Sequence, residues 1–348
     1  IMKTMEVGIL GATGIVGQQF VAQLKDHPWF KLVWVGASQR SKGRRYADAT
    51  SWKLASPIPS EVGGLRVEAA TPGNAPRLVF SALDASVAGD IEEAFAESDH
   101  LVVSNARNHR MTPNVPLLIP EVNPDHLSLL KSQRAQGRTG AIVTNPNCST
   151  VILVMALAPL KKFGIQRVLV TTSQAVSGAG YPGTPSLDIL GNIIPFIGGE
   201  EEKMEAESKK ILGKVMDDLV KPHDLIVSAQ TTRAPVIDGH TAMISIEFET
   251  PPETKEILDA LVKFSGKPQA MGLPTAPPQP IVYLDDECRP QPRLDVDRGR
   301  GMTVSIGRLR PCPVLHHKFI ALGHNTIRGA AGAAILNGEL MAATGLLD

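Results

Sequence analysis

The sequence is short of several things, and each shortage excludes a class of protein. It holds three cysteines in 348 residues, Cys148, Cys288 and Cys312. That is too few and too scattered for a disulfide framework or a zinc site, so no metal is expected. Reduced thiols in the cytoplasm are the expectation instead. Charge of one sign is not in excess, since 35 Lys and Arg balance 35 Asp and Glu. Binding a phosphate backbone needs a basic surface, so neither a nucleic-acid partner nor a polybasic membrane anchor is expected. Long apolar runs are missing too. The most apolar window, 151–160, is about half a membrane span and contains Pro159. No apolar stretch ending in a cleavage site precedes residue 7, so no targeting segment is expected and Met2 is read as the start. No repeat of solenoid length occurs.

What is present, 43% apolar and 20% charged residues, is an ordinary globular composition. The length suits about two domains. Over the first 148 residues, short and continuously apolar runs occur at 7–10, 32–37, 78–81, 101–104, 117–119 and 141–144. Such runs suit strands buried on both faces of a parallel sheet. Helical stretches at 16–25 and 91–96 separate some of them, which predicts an α/β, Rossmann-type nucleotide-binding domain over 1–148. After Thr150 the texture changes. Stretches at 166–174, 241–249, 302–309 and 316–322 are β-rich, and 241–249 alternates as a half-exposed antiparallel strand does. With helices at about 200–219 and 253–264, this predicts an α+β domain over 149–324 with a mostly antiparallel sheet. Two Pro-rich loops, 266–280 and 289–292, are expected to cross the surface or another subunit. The Ala- and Gly-rich stretch 325–347 reads as a closely packing helix that returns to the first domain.

Two stretches carry chemistry. The turn from Gly8 to Gly17 follows a strand and opens a helix, so Gly11, Thr13, Gly14, Ile15 and Val16 would bring backbone N–H groups to a pyrophosphate. The next strand ends in Ser38, Gln39, Arg40 and Ser41, with Arg44 and Arg45 beyond. It has no carboxylate for a ribose but has hydroxyls and guanidiniums, which suits the 2′-phosphate of NADP. The second stretch is 145–150, Asn-Pro-Asn-Cys-Ser-Thr, followed by an apolar helix over 151–162 that ends at Gly164. Asn147 reads as the N-cap. Cys148 at the helix start would have its thiolate favoured by the dipole, with free N–H groups for an oxyanion. His240 is the best proton partner, because its parity matches the core face of Ala242, Ile244 and Ile246. His316, His317 and His324 are the other candidates.

These pieces together resemble the aspartate-β-semialdehyde dehydrogenases, in the fungal and archaeal branch. The resemblance is carried in order by GILGATGIVG, NPNCST, SQAVSGAG at 173–180, GGEEEKMEAESKKIL at 198–212 and RAPVIDGH at 233–240. It implies NADPH-dependent reductive dephosphorylation of L-aspartyl-4-phosphate to the semialdehyde, on the way to lysine, threonine and methionine. The reaction would run through a Cys148 thioester, with His240 managing the proton and Gln174 orienting the acyl group and His240. Arg233 would grip the α-carboxylate through its planar fork, and Glu200 would receive the ammonium. Lys203 and Arg110 would bind phosphate. Register among Glu200, Glu201 and Glu202 stays open, and Arg107 competes with Arg110. Glu205, Glu207, Lys209 and Lys210 read as an exposed face of i,i+4 pairs. Asn105 and Asn325 are expected near the nicotinamide, and Ser81, Ser177 and Gly178 complete the cofactor set. A homodimer or homotetramer is implied. The alternatives are N-acetyl-glutamyl-phosphate reductase, malonyl-CoA reductase or a silent nucleotide-binding relative. The Glu200–Arg233 pair discriminates among the enzymes, because neither alternative substrate carries a free ammonium.

Overall fold

The computed structural model describes residues 4–347 other than 136 and 138, so Met2 lies outside the described residues. The apolar runs of the first half pair as one sheet. Its strands are β1 (Met5–Leu10), β2 (Phe30–Ala37), β3 (Val67–Ala69), β4 (Leu78–Ser81), β5 (Leu101–Ser104) and β6 (Ala141–Thr144). All pairings are parallel, in the order β3-β2-β1-β4-β5-β6. Every residue of β4, β5 and β6 is buried, as expected for a parallel sheet covered on both faces. The strand order reverses at β1 and β4, and a doubly wound sheet takes its ligand at the carboxyl ends beside that point. The run 117–119 is not a strand. Leu117 alone pairs, as an isolated bridge to Thr144, and the prolines at 116 and 120 cannot donate to a ladder.

The second half forms another six-stranded sheet and a small hairpin. Its elements are β7 (Ile165–Gln174), the hairpin β8 (Lys214–Met216) and β9 (Leu219–Lys221), β10 (Ile226–Arg233), β11 (His240–Phe248), β12 (Ile281–Leu284), β13 (Val304–Pro311) and β14 (His317–Gly323). The sheet order is β10-β7-β11-β14-β13-β12. The three inner pairings are antiparallel. The two outer ones, β10–β7 and β12–β13, are parallel, so the sheet is mixed. Along β11, His240, Ala242, Ile244, Ile246 and Phe248 are buried and the residues between them are not. The helix expected over 200–219 stops at Ile211. Gly213 then turns the chain into the hairpin, where a Cβ would stand 2.4 Å from the Lys221 carbonyl oxygen.

Two features position the site. The helix Cys148–Leu157 is buried from Ser149 onward, so it runs through the core rather than along a surface. It tightens into a 3-10 turn, Ala158–Phe163, that closes on Gly164 at φ +71°. At the end of the chain, a π-helical turn, Ile327–Ala331, leads into the helix Gly332–Ala343. Ile335, Leu336, Leu340 and Met341 of that helix share one apolar cluster with Val7, Phe20 and Phe80 of the first sheet and its helix. The Pro-rich stretch 266–280 runs partly exposed along the surface and is anchored to the first domain. Leu273 joins that same cluster, and the Thr275 N–H donates to the buried carboxylate of Glu339. No helix among the described residues is long and apolar enough to cross a membrane.

Candidate active site

At the β1 turn, Gly11 has φ +75°, and a Cβ on it would stand 2.6 Å from the Ala82 carbonyl oxygen. A Cβ on Gly17 would stand 2.3 Å from the Gly11 oxygen. Glycine is therefore required at both positions. The helix Ile15–Gln23 starts at Gly14 with no side-chain cap. The N–H groups of Thr13, Ile15 and Val16 find no partner among the described residues. Donors left open at a helix start suit an anion such as a pyrophosphate. Gly11 and Ala12 donate to Gly36 at the end of β2, which brings the Ser38–Ser41 turn beside this cradle. Ser38 and Arg40 are exposed there. Arg44 turns back to the Asp48 carbonyl, while Arg40, in the turn itself, and Arg45 beyond it are exposed. These residues fit a 2′-phosphorylated dinucleotide.

A cleft of about 390 Å³ leads from Ile15 and Gln19 past Val176 and Ser177 to Asp238 and Thr326. Behind Ser177 of its wall, Asn325 Nδ2 donates to Ser177 Oγ at 2.8 Å, and its Oδ1 accepts the Gly239 N–H at 2.9 Å. A Cβ on Gly178 would lie 2.9 Å from His240 Cε1 and 3.0 Å from Arg233 Nη1. Asn105 donates to the Ser81 carbonyl at 2.9 Å. The Ser81 hydroxyl itself is buried and donates to Glu92, so at most its backbone reaches a ligand.

The cysteine turn is built from both halves of the chain. Asn147 caps the helix, its Oδ1 accepting from the Ser149 and Thr150 N–H groups at 3.0 and 3.2 Å. Those two donors are thereby taken, and of the helix's first turn only the Cys148 N–H lacks a partner among the described residues. The half-buried Cys148 places Sγ 3.3 Å from His240 Nε2. His240 Nδ1 accepts the Ala175 N–H at 3.0 Å. A backbone N–H can only donate, so the neutral ring carries its proton on Nε2, facing the sulfur. Burial, then Arg233 and His324, push the His240 pKa down to about 3. The thiol moves opposite to the dipole expectation. Burial, followed by the Glu200 carboxylate, pushes Cys148 up to about 12, against the weaker pull of Arg110 and Arg233. Desolvation of the charged form outweighs the helix terminus here.

Of the other histidines, His317 bonds the Pro252 carbonyl, and both His316 and His317 lie at the far end of the sheet. His324 is buried beside Asn325. Gln174 is buried with its amide on Thr172 Oγ1 at 3.3 Å. Among the described residues it makes no hydrogen bond to His240, whose ring is held instead by the Ala175 N–H. Arg233 is paired in register with Gln174 at the strand ends, and its Nη1 donates to the Ala175 carbonyl at 2.8 Å. Of the three glutamates, Glu200 faces the site, accepting from Asn147 Nδ2 at 3.0 and 2.8 Å and from Lys203 Nζ at 2.8 Å. Glu201 instead accepts the Thr231 N–H, and Glu202 is exposed. Arg107 is exposed while Arg110 is buried, with its Nε left without a partner among the described residues.

Two family models match the chain. One is described as semialdehyde dehydrogenase, NAD binding domain, over residues 6–130, and the other as semialdehyde dehydrogenase, dimerisation domain, over residues 157–328. The chain is 48% identical to an aspartate-semialdehyde dehydrogenase of Schizosaccharomyces pombe, covering 99% of this chain and 100% of that one. It is also 48% identical to one of Methanothermobacter thermautotrophicus, covering 97% and 99%. The chain belongs to the aspartate-semialdehyde dehydrogenase family. Its likeness to fungal and archaeal members agrees with the branch read from the motifs. A crystal structure of aspartate-semialdehyde dehydrogenase with NADP from Candida albicans superposes with a TM-score of 0.92 at 42% identity, covering 99% of this chain and 100% of that one.

Within this family member, sequence reasoning passed over Ala175, whose N–H orients the histidine, and misplaced Glu207 and Lys210. Both lie on the buried face of the helix Glu200–Ile211, not on a solvated one. Their two-turn spacing from Glu200 and Lys203 puts all four near one face of the helix but does not by itself say that the face is buried.

Proposed function

We propose that this chain catalyses NADPH-dependent reductive dephosphorylation of L-aspartyl-4-phosphate to L-aspartate 4-semialdehyde, the step that feeds lysine, threonine and methionine synthesis. It works as a cytoplasmic homodimer, a compartment that suits its three free thiols. The observation that carries this reading is Cys148 at a capped helix start, 3.3 Å from a histidine whose proton faces the sulfur, beside an open dinucleotide cradle.

Cys148 attacks the acyl carbon. The carbon–sulfur bond forms as the thiol proton passes to a phosphate oxygen, the carbon–oxygen bond to phosphate breaks, and hydrogen phosphate leaves with the electron pair. NADPH, when bound, supplies the hydride that reduces the resulting thioester. The Cys148 N–H and the Nε2 proton of His240 are the donors left for the tetrahedral oxyanion. As carbon–sulfur cleavage expels the thiolate, His240 Nε2–H stands ready to donate to it. Arg233 keeps guanidinium donors beyond its bond to Ala175, and these grip the α-carboxylate. Glu200 receives the α-ammonium. Lys203 and the open Nε of Arg110 take the phosphate. Asn105 and Asn325 border the nicotinamide end, and Gln174 lies against the acyl group.

The test is phosphate- and NADP-dependent oxidation of aspartate semialdehyde by the purified protein. Absence of phosphate dependence, or a wild-type enzyme that oxidises NADPH faster with malonyl-CoA, overturns the aspartate assignment.

A further inference from the structure

Glu207 stands two turns after Glu200 on the inner face of its helix and is 2% exposed. Its two carboxylate oxygens serve two different parts of the chain. Oε1 accepts from Arg110 Nη1 at 2.9 Å, and Oε2 accepts the Asn147 N–H at 2.7 Å. Asn147 is the residue directly before the nucleophile and caps its helix. Arg110 is fixed on a second side, where Nη2 donates to the Asn105 carbonyl at 2.7 Å. Lys210, one turn beyond Glu207, holds the same loop by donating to the carbonyls of Arg110, Thr112 and Val115 at 2.7, 2.8 and 2.9 Å. With both terminal nitrogens of Arg110 engaged, Nε is its buried donor without a partner among the described residues.

We propose that Glu207 is a positioning residue that sets the spacing between the Cys148 nucleophile and the Arg110 cation. A simple internal ion pair needs only the Arg110 contact. Here the same carboxylate also holds the backbone of the cysteine turn, so the two groups are tied to one rigid helix. In the acyl-transfer step sulfur attacks as phosphate departs, and the sulfur-to-cation distance must match the substrate's carbon-to-phosphate distance. Glu207 also decides which edge of the guanidinium stays open, because it occupies Nη1. This inference rests on the reading of Arg110 as a phosphate ligand.

The experiment is steady-state kinetics in the oxidative direction on wild type, Glu207→Gln, Glu207→Asp, Arg110→Ala and the Glu207→Gln/Arg110→Ala double variant, with NADP affinity measured separately. Glu207→Gln keeps size and loses charge. It is expected to raise KM for phosphate and lower kcat at least tenfold each, with NADP Kd within twofold of wild type. In the Arg110→Ala background the same change should add less than twofold to the phosphate KM. Glu207→Asp should fall between, and it carries the test if the Gln variant does not fold. A folded Glu207 variant with phosphate KM and kcat both within twofold of wild type overturns the proposal, as does a full multiplicative loss in the double variant. An unchanged phosphate KM in Arg110→Ala instead overturns the phosphate reading. Glu207 must then still lower kcat, or the proposal falls as well.

Discussion

Gly329 lies so close to Cys148 that a Cβ on it would stand 2.6 Å from the cysteine's own Cβ. The π-helical turn that carries Gly329 is anchored by Arg328, whose Nη1 donates to Glu121 at 2.8 Å in a fully buried pair. Neither side has room to yield. Gly329→Ala should therefore displace the nucleophile, lowering kcat on the order of a hundredfold while NADP binding holds. Equal kcat in a folded Gly329→Ala enzyme would show that the turn relaxes freely.

The raised thiol pKa has a direct readout. With Cys148 pushed up to about 12, the free enzyme holds the protonated thiol at neutral pH. Only the thiolate reacts with iodoacetamide, so alkylation of Cys148 should climb about tenfold per pH unit from 7 to 10. Glu200 opposes the thiolate, so Glu200→Gln should lower the pKa and speed alkylation at neutral pH. A rate that levels off below pH 9 contradicts this account.

The proposed role of the exposed Arg40 in choosing NADP can be tested directly. Arg40 makes no ion pair or hydrogen bond with the described residues, and Arg44 is turned away. Arg40→Ala should weaken NADP about tenfold to a hundredfold, a charge-assisted contact's worth, and leave NAD nearly unaffected. Isothermal titration with both cofactors decides it, and equal losses would assign Arg40 a structural role.

Arg233 bonds Ala175 through one terminal nitrogen and is otherwise available. Lysine keeps the charge without the fork, so Arg233→Lys should lose both kcat and substrate affinity. Glu200→Ala should penalise the semialdehyde by about 1–3 kcal/mol in kcat/KM and a des-amino analogue much less. Parallel kinetics on the two aldehydes provide the comparison.

Much of this was legible in the chain because burial writes itself into composition. The β4, β5 and β6 runs stand where the sequence puts them, since strands covered on both faces have no polar alternation to blur them. β3 is only Val67–Ala69, and β10 mixes Ile226 and Val227 with Gln230, Thr231 and Thr232, so neither showed. The cysteine turn and His240 were readable from local spacing. Glu207 was not, because a carboxylate at i+7 looks alike on a wet face and a dry one. Its partner Arg110 lies 97 positions away. The orienting N–H of Ala175 carries no side-chain signal at all.

The helix Gly332–Ala343 covers the first sheet, yet in sequence it follows the whole of the second sheet. Synthesis proceeds from the other end. The strands of the first sheet therefore leave the ribosome with one apolar flank bare and wait for the second sheet to be made before that flank is covered. For that interval the nascent protein presents Val7 and Phe80 to whatever else is sticky in the cell. A dependence on holding chaperones during translation, relieved once Leu340 and Met341 emerge, follows from this order of events.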